Sequence, residues 1–295
     1  MSRLCAYYEP GYAPGDSPLL ERLDVSARML ERLGLVSLVA PPPLAIDRLA
    51  GLHAPDYLDA FLQGREPKAS SQGIGWTPAV RDATLSMLAG QLAGAEHALR
   101  HGIAMNLARG FHHAVYERGS GFCALNGLAL VAHCRPDLRI FVVDCDEHGG
   151  NGTEEFAARL PNLYTASIFG TRFGCYGGVR SWAYKVNTAR RGFAEYLFVL
   201  GQVRALLVEA RPDLVIFQAG VDCHLDDPKS QAGLSTAELF YRDLAVFGMV
   251  RDLAIPILFV VAGGYQKAET VARLNANTVR AARYIHRGGS GQAAA

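Results

Sequence analysis

The stretch Arg139-Ile140-Phe141-Val142-Val143-Asp144-Cys145-Asp146-Glu147-His148 decides the fold. Its first half is a short, unbroken apolar run, the pattern of a strand covered on both faces. Its second half places Asp144, Asp146 and His148 at every second position, a spacing that turns all three side chains to one side of an extended chain. A buried strand that ends in acids and a histidine predicts a parallel sheet with its chemistry at the strand's C-terminal end.

The same pattern recurs on either side. Apolar runs near Ile103–Leu107, Leu163–Ile168, Leu214–Ala219 and Pro256–Val261 are separated by helical stretches such as Phe193–Ala210 and Ser235–Asp252. Between Asp82 and Arg100, the residues Leu85, Leu88, Leu92, Ala95 and Leu99 recur at three- and four-residue steps, one apolar stripe on a helix. The expected class is therefore α/β: a single-domain open, mostly parallel sheet flanked by helices. The helix after Phe193 should stop at Arg211-Pro212, because the residue before proline is driven out of the helical region. A last helix near Glu269–Ile285 is expected to cover the sheet edge. Pro41-Pro42-Pro43 and the run from Lys68 to Pro78 read as loops too short to divide domains. One catalytic domain over 1–287 and a disordered tail over 288–295 follow.

Composition narrows the function classes. Half of the 295 residues are hydrophobic, enough to bury a full core. Lys and Arg number 29 against 28 Asp and Glu, a net charge of +1, so no field favours a nucleic acid. The first ten residues lack a signal pattern, and no stretch reaches the roughly 18 apolar residues of a membrane helix. A soluble, cytoplasmic protein without a membrane partner is expected. The six cysteines form no CxxC pair and read as reduced thiols, Cys145 as a small buried hydrophobe. The sequence is silent on oligomeric state.

Four of the apolar runs lead into the most chemically capable residues of the chain: Phe111-His112-His113, Asp144 to His148, Gly220-Val221-Asp222 and Gly263-Gly264-Tyr265. Each has a bland reading by itself. Asp-x-Asp caps helices, adjacent histidines point to opposite sides of an extended chain, and Gly-Gly-Tyr makes an ordinary turn. At four strand ends of one sheet they would converge on a single crevice. A metal could use two of Asp144, Asp146 and His148, with Asp222 as the natural third ligand. Carboxylate and imidazole without thiolate suit zinc, and ferrous iron fits the same set. Three protein ligands leave a position open for water and substrate, as catalytic sites do.

These residues resemble the histone deacetylase family from about His53 to Tyr284. Gly110-Phe111-His112-His113-Ala114, Gly121-Phe122-Cys123 and Val143 to Thr153 are similar to its tandem-histidine, pocket and metal motifs. Gln218 to Asp222 and Ala262-Gly263-Gly264-Tyr265 are similar to the remaining two. The phrases Arg109-Gly-Phe-His-His and Arg118-Gly-Ser-Gly-Phe-Cys look most like the class IV branch and its bacterial relatives. The resemblance implies the arginase/deacetylase fold, with zinc on Asp146, His148 and Asp222. His113 would act as general base and then acid, with His112 tuning the charge beside it. Asp144 would pair with His112 and contribute with Ser167 to a potassium site. Tyr265 would donate its hydroxyl to the scissile carbonyl. Gly121 and Phe122 would line the acyl channel, with a second wall somewhere in Phe169 to Tyr176. The implied substrate is an N-acyl-lysine peptide or protein, acetylated or carrying a longer chain. A small acylated amine such as an acetylpolyamine is the alternative, and a non-catalytic metal-retaining binding protein a third. Retention of both His113 and Tyr265 speaks against the third.

The chain departs from the family in four places. Gly149 stands where many relatives carry a second histidine, and Asn151 where some carry an aspartate beside the second tandem histidine. The segment from Lys68 to Val80 has no acidic residue with which to grip a peptide backbone. In Asp226-Asp227-Pro228-Lys229, Lys229 occupies the region where polyamine-directed relatives carry an acid.

Overall fold

In the computed structural model, which describes residues 3–15 and 17–287, the five expected apolar runs become five contiguous strands at the centre of an eight-stranded sheet. The strands are β1 (Leu4–Tyr7), β2 (Val36–Val39), β3 (Ile103–Asn106), β4 (Ile140–Asp144), β5 (Leu163–Phe169), β6 (Ser181–Lys185), β7 (Leu214–Gln218) and β8 (Ile257–Val260). Their order is β2-β1-β3-β8-β7-β4-β5-β6, and every neighbouring pair is parallel. The three strands without a clear sequence signal, β1, β2 and β6, lie toward the two ends of the sheet. β2 and β6 are partly exposed edges carrying Ser37, Ser181 and Lys185, so neither shows the continuous apolar run of a doubly covered strand. The expected tail over 288–295 lies outside the described residues.

Helices cover both faces. On one, Pro78–His101, Gly127–Cys134 and Asn151–Arg159 pack in succession; on the other, Pro18–Arg32, Ala268–Arg287, Thr236–Asp252 and Phe193–Ala210 do. Ala268–Arg287 packs between Pro18–Arg32 and Thr236–Asp252, which corrects its expected place over the sheet edge. The strand before it, β8, lies in the middle of the sheet, so the returning chain meets a face. Local chemistry sets several boundaries. Ser235 and Glu238 form a reciprocal cap, so that helix begins at Thr236. Phe193–Ala210 ends before Pro212 as expected, through a left-handed Arg211 at φ 46°. One continuous core includes Phe141, Phe217, Phe247 and Phe259; each such side chain stabilises the fold by roughly 1.5–3 kcal/mol relative to exposure. No helix among the described residues is long and apolar enough to cross a membrane.

The chain runs outward from β4 through β5 to β6, then returns to insert β7 and β8 between β3 and β4. The C-terminal ends of β3, β8, β7 and β4 consequently lie side by side. Those are the four ends that carry the polar motifs.

Candidate active site

After β3 the backbone turns through Gly110 (φ 72°) and Phe111 (φ 63°). A left-handed phenylalanine costs of order 1 kcal/mol, and here it breaks the extended geometry that would send adjacent side chains apart. The His112 and His113 rings accordingly lie 3.9 Å apart, and both residues are buried. His112 Nδ1 donates to Asp144 Oδ2 at 2.7 Å. His113 Nδ1 meets Asn151 Oδ1 at 2.8 Å. An amide oxygen only accepts, so Nδ1 carries the proton and His113 Nε2 is left bare. Burial works against a charge on His112, but Asp144 and Asp146 outweigh it and raise the pKa. For His113, burial and the neighbouring His112 push the pKa well down.

Asp146, His148 and Asp222 offer ligand atoms that all lie within 4.8 Å of one another. Asp144, at the end of β4, is committed to His112 and to the backbone N–H of Asp146 at 3.1 Å. The two aspartates of the triad are held from behind: Gly263 N–H donates to Asp146 Oδ2 and Glu147 N–H to Asp222 Oδ1, each at 2.9 Å. A Cβ on Gly263 would stand 2.1 Å from Asp222 Oδ2, so only glycine lets the backbone approach this closely. His148 Nδ1 lies 3.3 Å from Asp146 Oδ1 and 3.2 Å from Asp222 Oδ2. The latter oxygen is buried and accepts no hydrogen bond. Burial and the adjacent Asp146 push the Asp222 pKa up. Burial opposes a charged His148, yet the two carboxylates carry it up to about 10. Two buried carboxylates, one with an unsatisfied oxygen, and an imidazole form a donor set that fits a divalent cation.

Tyr265 lies beside this triad, its ring 6.2 Å from that of His148. Its backbone N–H donates to Asp227 Oδ2 at 2.7 Å, and Arg109 Nη2 stands 3.4 Å from its hydroxyl. Phe122 lies 6.4 Å from Tyr265. Within the second expected wall, the contacting residue is Phe173, its ring 4.0 Å from that of His113 at a tilt of 34° and edge-on to His148 at 5.8 Å. Gly121 is required at its position, since a Cβ there would come within 2.4 Å of the His113 ring. Gly149 has no room for any side chain: its Cβ would lie 2.5 Å from both Arg172 O and Cys175 Cβ. The acid-free segment reaches the rim, where Gln72 O accepts from Phe122 N–H at 2.7 Å. Asp144 and Ser167 are register partners on β4 and β5, with Ser167 Oγ accepting from Gly150 N–H at 3.1 Å.

Three further residues were given no role in the site by sequence reasoning. Asp227 is buried and braces Tyr265, a role the acidic run Asp226-Asp227 does not reveal in sequence. Arg242, fully buried, donates to Cys145 O at 3.1 Å and Gly220 O at 2.7 Å, tying together the loops that carry Asp146 and Asp222. Arg109 points inward at Tyr265. An arginine on a helix or after a strand ordinarily reads as a solvated charge, so only the fold exposes these roles.

Sheet order and site together define a parallel α/β protein with a candidate metal centre at its strand ends. The histone deacetylase domain matches residues 18–282, and the chain belongs to the histone deacetylase family. It is 34% identical over 229 residues to an uncharacterized protein of Picosynechococcus sp., covering 73% of this chain and 74% of that one. To a protein named "Probable deacetylase" in Methanothermobacter thermautotrophicus it is 29% identical over 284 residues, covering 87% and 79%. Histone deacetylase 2 of Arabidopsis thaliana is 32% identical over 200 residues, 64% of this chain but only 51% of the plant protein. The acetylpolyamine aminohydrolase of Burkholderia pseudomallei shares the fold with a TM-score of 0.79 at 20% identity, over 96% of this chain and 99% of that one. The protein is thus a hydrolytic enzyme of the deacetylase type.

Proposed function

We propose that this enzyme is a zinc-dependent deacylase of N-acyl-lysine side chains. The observation that carries the reading is the convergence of two proton-handling groups on the triad: the His148 ring lies 5.9 Å from His113 and 6.2 Å from Tyr265. A divalent ion held by Asp146, His148 and Asp222 would supply Lewis acidity to the amide carbonyl and make an attacking water more acidic. His113 Nε2, unprotonated because burial and His112 depress its pKa, takes the proton of that water as it adds to the carbonyl carbon. The same nitrogen then gives the proton to the departing amine. His112, hydrogen-bonded to Asp144, holds its own charge in place beside it. The Tyr265 hydroxyl donates to the carbonyl oxygen as negative charge gathers there, the type of contact whose loss costs roughly a hundredfold or more in rate. Gly121, Phe122 and Phe173 form apolar walls that suit the methylenes of a lysine side chain and keep bulk water out.

Zinc fits the oxygen and nitrogen donors, and a potassium ion beside Asp144 and Ser167 belongs to the same proposal. Six unpaired thiols agree with a cytoplasmic protein, and a near-zero net charge with a peptide or small-molecule partner rather than a nucleic acid. A polyamine cation calls for a carboxylate at the mouth. Asp227 is already committed to Tyr265 and to Lys229 N–H, which favours lysine. Turnover of acetyl-lysine peptides and of acetylpolyamines by the zinc-loaded protein tests the reading. At least tenfold higher kcat/KM on the peptides is expected, and the reverse preference would overturn it.

A further inference from the structure

Arg109 is 7% exposed, yet no carboxylate among the described residues lies within ion-pair distance of its guanidinium. Nη2 stands 3.4 Å from the Tyr265 hydroxyl, and Nε has no hydrogen-bond partner. Burying an unpaired cation is costly, so a hydrophobic side chain of similar size would be the cheaper filler if filling space were its whole role. The void bordered by Arg109, Arg22, Leu19, Ala262, Gly264 and Val271 measures about 10 Å³, room for about one water. On the reading proposed above, the amine enters between the aromatic walls and its carbonyl oxygen meets the Tyr265 hydroxyl. The acyl carbons are then the most deeply inserted part of the substrate. Arg109 stands against that hydroxyl, where the acyl chain would have to extend.

We propose that Arg109 closes the acyl end of the pocket and confines the enzyme to acetyl-sized groups. Its side chain fills the space further methylenes would need, and the adjoining void takes no more than one water. Arginine adds a second effect over a hydrophobic filler of equal bulk. Because Nη2 donates to the Tyr265 oxygen, that hydroxyl's own proton is directed elsewhere, toward the substrate carbonyl. Arg109 is thus a specificity residue through its volume and a positioning residue through its hydrogen bond.

The two effects separate in one experiment. Wild type, Arg109→Met, Arg109→Gly and Arg109→Ser, zinc-loaded and checked for folding by thermal unfolding, are assayed on acetyl-, butyryl- and hexanoyl-lysine in one peptide sequence. Wild type is expected to favour acetyl over hexanoyl by about 100-fold or more in kcat/KM, in line with the roughly 10- to 200-fold that one methylene can cost. Arg109→Met keeps the bulk, so that ratio should stay within about threefold while kcat on acetyl-lysine falls several-fold. Arg109→Gly and Arg109→Ser should bring the ratio below about 10. Comparable wild-type rates on acetyl- and hexanoyl-lysine overturn the proposal even if neither small-residue variant folds, as does a wild-type ratio in both of those variants. Refusal of every peptide by wild type would instead remove the deacylase reading, and the acyl-length inference with it.

Discussion

The backbone N–H of Tyr265 donates to the buried carboxylate of Asp227 at 2.7 Å, while the other oxygen of Asp227 accepts the N–H of Lys229 at 3.0 Å. The aspartate braces a loop and holds Tyr265 toward the triad. Asp227→Ala should therefore lower kcat about 10- to 100-fold with KM changed less than about threefold, because in the proposed chemistry the tyrosine hydroxyl would act mainly as charge develops in the transition state. Steady-state kinetics on an acetyl-lysine peptide decide it; a loss confined to KM would assign Asp227 to substrate binding instead.

Asp146 and Asp222 crowd two carboxylates into one buried site, where each disfavours the charge of the other. Chelation should lower the thermal midpoint of the wild-type protein. Zinc restored to 100 times its Kd should return about 2.7 kcal/mol. Asp222→Asn removes one of the charges, so the stripped variant should unfold at a higher temperature than stripped wild type and gain little from zinc. Calorimetric scans of both proteins with and without zinc provide the comparison. Equal zinc stabilisation in the two would exclude Asp222 as a ligand.

His53 is sealed in the core with Nδ1 2.9 Å from Val115 O and Nε2 accepting from Asn126 N–H at 3.0 Å. One nitrogen donates and the other accepts, so the site holds the neutral ring, and burial lowers its pKa to about 4. The unfolded chain takes up a proton near pH 6.5 that the folded chain refuses. This contribution is thus fully present above about pH 6.5 and is lost as pH falls toward 4, by at most about 3 kcal/mol. His53→Gln keeps a donor and an acceptor without titrating in this range. Its urea midpoint should fall less between pH 7 and pH 5 than that of wild type, and identical pH slopes would contradict the assignment.

The legible part of the molecule is its doubly covered centre. Ile140–Asp144 and Leu214–Gln218 are buried along their whole length, so hydrophobicity alone marks them. The half-exposed Ser181–Lys185 carries no such mark. Strand ends brought Asp146, His148, Asp222 and Tyr265 together, because residues there share one crevice whatever their separation in sequence. The tandem histidines were harder to read. Their close approach depends on the positive φ of Phe111, a conformation that phenylalanine does not advertise. Asp227, Arg109 and Arg242 were hidden for a different reason: a charged residue announces neither its burial nor its partner, and each acts through contacts made across 20 to 160 residues of chain.

The proposed proton transfer by His113 and oxyanion stabilisation by Tyr265 are tested most directly by the release of free amine from an acetyl-lysine peptide, quantified by mass spectrometry for wild type, His113→Ala and Tyr265→Phe at matched zinc occupancy. Each substitution is expected to lower kcat by about 100-fold or more, since one removes the group proposed to move the proton and the other the proposed donor to the developing oxyanion. Turnover at the wild-type rate in either variant would contradict the proposed chemistry.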